Sequence, residues 1–161
     1  GLTQIRQTVG ALLVESKAKD RPFASEDLDD MLILAEAEAH GRSIGVVVES
    51  NLEGSLPLPA TLMRQILLNL LLNAVAAAEE GGGVRLVVES AEKHLLLAVT
   101  NDGDYIPQER MDTLFETSER GNGLGLWIVY QIVQQLGGEI EVESLPGYTT
   151  FKVEISYGNT V

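Results

Sequence analysis

A chain of 161 residues is long enough for one compact domain and too short for two ordinary ones. Hydrophobic residues make up 45% and charged residues 22%, the profile of a globular fold and not of a disordered segment. Eleven Lys+Arg against 24 Asp+Glu leave a formal net charge of −13, which argues against nucleic acid as a partner, and the lack of cysteine removes disulfide frameworks, thiolate nucleophiles and Cys-ligated zinc.

The first segment, GLTQIRQTVGALLVESKAK, places Leu2, Ile5, Val9, Leu12 and Leu13 three and four apart, which predicts a helix with a narrow apolar seam that wants a partner helix. DRPFAS interrupts it at Pro22, and Ser25 is the predicted cap of a helix running to about His40 and closed by Gly41. RSIGVVVESN reads as a strand and LEGSLPLP as a loop. A long helix follows from about Ala60 to Ala78, with Leu62, Met63, Ile66, Leu67, Leu70, Leu71, Ala74 and Val75 on its buried face. VRLVVES and HLLLAVT read as strands joined by a turn at Glu92 and Lys93, followed by a short helix near Gln108 to Phe115. A second long helix, Leu124 to Leu136, is closed by Gly137 and Gly138, and EIEVES and TTFKVEIS form two last strands. Three or four helices and five strands in mixed order predict a two-layer α/β sandwich. The chain carries no basic-then-apolar leader and no uninterrupted apolar run of membrane-spanning length, so the expectation is a cytoplasmic piece that is not membrane-embedded.

Three local features carry chemistry. In NLLLNA, Asn69 and Asn73 lie four apart and share a helix face, with Gln65 one turn earlier. Two such amides on an apolar helix either hydrogen-bond neighbouring backbone or offer oxygens to a hard cation and NH2 groups to phosphate. In VTNDGDYIP a strand ends at Asn101, Asp102 and Gly103, which is either a simple turn or a flat polar edge for a base. In ERGNGLGLWIV, Gly121, Gly123 and Gly125 run into a helix, which is either a ligand-free hinge or a phosphate cradle made by the first helical N–H groups.

Taken together, in this order and spacing, the three resemble the N box and the two glycine boxes of the GHKL (Bergerat) ATP-binding fold, as found in the catalytic domain of bacterial sensor histidine kinases. The resemblance covers roughly Asp27 to Ile155; LFE around Phe115 is similar to the family's F box, and GYTTF to its final Gly-x-x-Thr-Phe strand. It implies a mixed sheet of about five strands with about three helices on one face. It also divides the chain into residues 1–23, the end of a dimerisation and phosphoacceptor domain with its linker, and residues 24–161, the catalytic domain.

The implied cofactors are ATP and Mg²⁺. Asn73 would bind the metal, with Asn69 beside it. Asn101 falls where the family usually has an aspartate that accepts the adenine amine; Gly103 would let the base lie against the backbone, Ile106 would pack on the ring, and Thr149 would join through its hydroxyl. Gly121, Asn122, Gly123, Leu124, Gly125 and Leu126 would wrap the phosphates, with Glu116 to Asn122 as the lid and Phe115 in its F box. Tyr105 stands where a glycine is usual, either stacking near the base or crowding it. Ala76 replaces a basic residue usual at that place, leaving Arg120 as the cation expected at the γ-phosphate.

The fold's hydrolytic relatives carry a water-activating glutamate where this chain has Asn69, so transfer to a positioned imidazole is favoured over hydrolysis. The implied activity is autophosphorylation of a histidine on the absent dimerisation domain, in a homodimeric full protein, with onward transfer to a response regulator. Neither His40 nor His94 lies in a His-Glu-x-x-x-Pro context. The alternatives are a protein serine kinase of the anti-sigma-factor type, and a nucleotide-binding scaffold without transfer activity.

Overall fold

The computed structural model describes residues 21–103, 105–116 and 123–158; the expected N-terminal seam helix lies outside them. Among the described residues the order is β1 (Pro22–Ala24), α1 (Ser25–Gly41), β2 (Gly45–Ser50), β3 (Ser55–Pro59), α2 (Ala60–Ala77), β4 (Gly83–Ala91), β5 (His94–Gly103), α3 (Gln108–Met111), α4 (Gly123–Gln135), β6 (Glu139–Leu145) and β7 (Gly147–Ser156).

Five strands form one sheet in the order β2-β4-β5-β7-β6. β2 runs parallel to β4, and every other pair in the sheet is antiparallel. Along β5 buried residues alternate with less buried ones, so Leu95, Leu97, Val99 and Asn101 face the helices while the residues between them face outward. The helix layer is centred on α2, whose Leu62, Met63, Ile66, Leu67, Leu70 and Leu71 are all buried. This helix has the length and hydropathy of a membrane span, but it is the middle of the core. Each of its buried leucines contributes about 1.5–3 kcal/mol by leaving water.

The fold class therefore stands as expected, with local corrections. The stretch taken as a loop, LEGSLPLP, ends in β3, which pairs antiparallel with β1 inside the DRPFAS interruption. Neither strand is recognisable by pattern: each is very short and carries proline, which this isolated two-stranded ribbon accommodates because both strands are edges. Ser25 is not the cap of α1 but its first residue; Ala24 takes the cap position, and the Asp27 carboxylate accepts its N–H at 2.9 Å. Asp27 is fully buried and also receives Arg21 at 2.6 Å and Arg64 at 2.9 Å, tying the start of β1 to α1 and α2. The short helix expected to reach Phe115 stops at Met111 and continues as turns.

Candidate functional site

The helix layer and the sheet part at one end to form a cleft of about 270 Å³. α2 contributes Asn73, Ala76 and Ala77; the strands contribute Asn101, Thr149 and Phe151. The connection after β5 supplies Tyr105, Ile106, Arg110 and Leu114, and α4 supplies Leu126. Of the residues singled out from sequence, the cleft thus unites Asn73, Asn101, Tyr105, Ile106, Leu126 and Thr149.

The polar wall is a product of strand register. Asn101 of β5 pairs with Thr149 of β7, and Thr149 pairs with Ser144 of β6, so three polar side chains lie in one row across three neighbouring strands. Asn101 is 1% and Thr149 2% exposed. The Asn101 Nδ2 donates to the Asp102 carbonyl at 2.9 Å, which fixes the amide's orientation, and its Oδ1 is left buried with no hydrogen-bond partner. A buried acceptor without a donor is costly, and such an atom at the wall of a cleft points to a ligand that brings an N–H. The Thr149 and Ser144 hydroxyls are 2.6 Å apart, and Ser144 Oγ also accepts the Ile106 N–H at 2.6 Å. Ser144 was not singled out from sequence; only its register opposite Thr149 marks it.

Asp102, one residue on, faces away and accepts the Gly83 N–H at 2.9 Å, so the polar edge expected of Asn101 and Asp102 together is formed by Asn101 alone. Gly103 has φ +124°, and a Cβ there would lie 2.9 Å from the Ala77 carbonyl oxygen. Its first requirement is thus close approach of β5 to the end of α2.

The two helix amides differ in placement. Asn69 does not line the cleft: its Nδ2 donates to the Gln65 carbonyl at 2.8 Å and to Gln65 Oε1 at 3.2 Å, so its NH2 group is committed to the helix and not to a phosphate. Its Oδ1 lies against α4, where a Cβ on Gly125 would come within 3.2 Å. Gly125 therefore lets α4 settle on α2 beside the cleft. Gly123 is the first residue of α4 and Leu124 follows it in the same helix, while Arg120, Gly121 and Asn122 lie outside the described residues.

Phe115 is likewise not a cleft residue. Its ring stacks on Tyr130 of α4 at 5.7 Å and meets Phe151 of β7 edge-on at 6.2 Å, clamping the end of the α3 connection to both layers. Arg110, which sequence reasoning passed over, is the one charged residue among the described residues lining the cleft. His40 ends α1 exposed, and His94 lies 3.8 Å from Glu154 at the opposite end of β5.

Known proteins share this arrangement. The sensor protein DctB of Rhizobium meliloti (strain 1021), for C4-dicarboxylate transport, is 33% identical over 96% of this chain and 27% of its own length. The sensory histidine kinase/phosphatase NtrB of Vibrio alginolyticus is 33% identical over 93% of this chain and 48% of its own. The chain thus spans less than half the length of either. Among solved structures, the nucleotide-free catalytic domain of the histidine kinase ThkA superposes with a TM-score of 0.74 at 27% identity, covering 86% of this chain and 95% of that one. Full-length ShkA in complex with AMPPNP superposes with a TM-score of 0.73 at 25% identity, over 89% of this chain and 32% of that one. Residues 59–159, from the last residue of β3 to beyond β7, match the family of histidine kinase-, DNA gyrase B- and HSP90-like ATPases, and the chain belongs to that family.

Proposed function

We propose that this chain is the catalytic, ATP-binding part of a sensor histidine kinase, with residues 24–161 as the catalytic domain and residues 1–23 as the end of a dimerisation and phosphoacceptor domain. The observation that carries the reading is the orphaned Oδ1 of Asn101 in a cleft that also presents apolar side chains, the Thr149 hydroxyl, the Asn73 amide and Arg110. An adenine amine supplies the missing donor, Thr149 reaches the base directly or through water, and Ile106 gives the ring an apolar face. The AMPPNP complex of ShkA, whose fold this chain shares, supports a nucleotide as the ligand of this chain.

Mg²⁺ fits the donors present. The Asn73 amide oxygen is a hard ligand at the cleft, and Mg²⁺ takes one or two protein oxygens together with substrate phosphates. When bound, it offsets the charge of the phosphate chain. The protein's own contribution is position. In the transfer the bond between the γ-phosphorus and the β–γ bridging oxygen breaks, a bond to an imidazole nitrogen of the acceptor histidine forms, and ADP leaves. The imidazole proton passes to a base on the acceptor's own domain. Among the described residues the cleft lining holds no carboxylate or histidine, so it offers water no base, and this favours transfer over hydrolysis. The phosphate would then pass to a response regulator, and the chain would work in the cytoplasm.

Calorimetric titration with MgATP, followed by a radiolabelled transfer assay with the missing helix pair supplied in trans, tests the reading. Micromolar to sub-millimolar binding and acid-labile phosphohistidine are expected. Acid-stable phosphoserine would select the serine-kinase alternative, and binding without any transfer would select the scaffold. Asn73→Ala should abolish the Mg²⁺ dependence with the fold intact, because alanine improves helix propensity; affinity within about threefold of the parent would remove Asn73 as the metal ligand.

A further inference from the structure

We propose that Arg110 holds the phosphate chain of the nucleotide, an inference that rests on reading the cleft as a nucleotide site. Three observations converge on it. The first is charge: in a chain of net charge −13, the lining among the described residues holds no carboxylate and one charged residue, Arg110. A cleft from which acids are withdrawn and into which one cation is placed is matched to an anion. Neither Ala76 nor Ala77, which α2 contributes to the same lining, bears a charge.

The second is that the guanidinium is uncommitted. Among the described residues it forms no ion pair and donates no side-chain hydrogen bond, whereas Arg21, Arg64 and Arg85 each bind a carboxylate and Arg42 binds the carbonyls of Val75 and Ala78. Arginine presents a planar fork of donors suited to phosphate oxygens, and here that fork is not consumed by the fold.

The third is that its mounting is fixed. The connection that bears Arg110 is pinned ahead of α3 by the Ile106 N–H bond to Ser144 Oγ and behind it by Phe115 between Tyr130 and Phe151. Within the turn, the Arg110 and Met111 N–H groups both donate to the Pro107 carbonyl. The residue is thus exposed yet held at the cleft by anchors on three other elements, which lowers the ordering cost of meeting a ligand.

Parallel titrations of the 161-residue chain with MgATP and with adenosine test the assignment, using the parent, Arg110→Ala and Arg110→Lys, with melting temperatures to verify folding. Arg110→Ala should weaken MgATP about tenfold or more and leave adenosine within about twofold, since a charge-assisted contact to phosphate is lost and the base contacts remain. Arg110→Lys should recover most of the MgATP affinity, and the gap between parent and Arg110→Ala should narrow as salt is raised. Equal weakening of MgATP and adenosine would assign Arg110 to the base or to the loop's shape and overturn the proposal, as would unchanged affinity for both. A parent chain that binds neither ligand would instead overturn the nucleotide-site reading beneath it.

Discussion

Asn101 and Thr149 face each other across the antiparallel β5–β7 pair, both almost wholly buried, and the amide oxygen of Asn101 has no partner. The pair is a polar spot inside an otherwise apolar layer, maintained by the sheet at the cost of an unsatisfied acceptor. Removing that acceptor should harm binding more than folding. Asn101→Ala is expected to weaken MgATP about tenfold, with a melting temperature within about 3 °C of the parent. Parallel loss of both would make Asn101 a structural residue.

Asn101→Asp has a different outcome. From sequence alone an aspartate there is expected to tighten ATP binding, because a charged acceptor binds an amine more strongly. The Nδ2 bond to the Asp102 carbonyl opposes this: an aspartate would set a carboxylate oxygen against that carbonyl in a buried site. The variant should melt lower than the parent and bind MgATP no more tightly. Tighter binding at unchanged stability would show that the wall relaxes around the new charge.

Gly103→Ala tests the approach of β5 to α2. The added Cβ would lie 2.9 Å from a backbone oxygen that has no flexible end to yield, at a φ of +124° that side chains avoid. A loss of about 2 kcal/mol or more is expected, seen as a melting temperature lower by about 4–8 °C. A neutral result would mean that the strand end shifts freely from Ala77.

Ser144→Ala removes the acceptor of the Ile106 N–H. Amide exchange at Ile106 should quicken about tenfold while exchange in the centre of β5 is unchanged, and MgATP affinity should fall a few-fold as the wall beside Thr149 loosens. Unaltered exchange at Ile106 would show that the connection is held by other contacts.

The Asp27 cluster predicts an acid-sensitive component of stability. Burial by itself would raise the Asp27 pKa, but hydrogen bonds from Arg21, the Ala24 N–H and Arg64, together with the charge of Arg21, outweigh it and hold the carboxyl below its ordinary value. A lowered folded-state pKa stabilises above the unfolded value near about 4, and the benefit disappears as pH falls through the folded value. Asp27→Asn should therefore be less stable than the parent at pH 6, by roughly 2 kcal/mol, and the difference should shrink at acid pH. A gap that is constant with pH would assign the loss to packing.

Much of the site was legible because it rests on local pattern. The seam of leucines on α2, the amides four apart, the strand end at Gly103 and the glycines at the start of α4 follow patterns that a sequence displays. What escaped was set by partners distant in the chain. β1 and β3 exist only through each other; Ser144 matters only because β6 pairs with β7; and Arg110 reaches the cleft only because Ile106 and Phe115 are anchored on β6, β7 and α4. The different placement of Asn69 and Asn73 was also hidden, since identical spacing says nothing about which amide the facing glycine of α4 packs against.

The alternation along β5 makes the electrostatics of the cleft hostage to a single ladder step. Asn101 and Asp102 are neighbours whose side chains leave opposite surfaces of the sheet, one beside Thr149 and the other at the Gly83 amide. Sliding β5 by one position against β4 and β7 would bring Asp102 to the position of Asn101, delivering a carboxylate to the cleft wall and leaving Gly103 opposite the Gly83 donor. An insertion or deletion at the Glu92–Lys93 hairpin, at the other end of β5, would then set a negative charge in the cleft that we read as a nucleotide site, with the sequence of every lining residue unchanged.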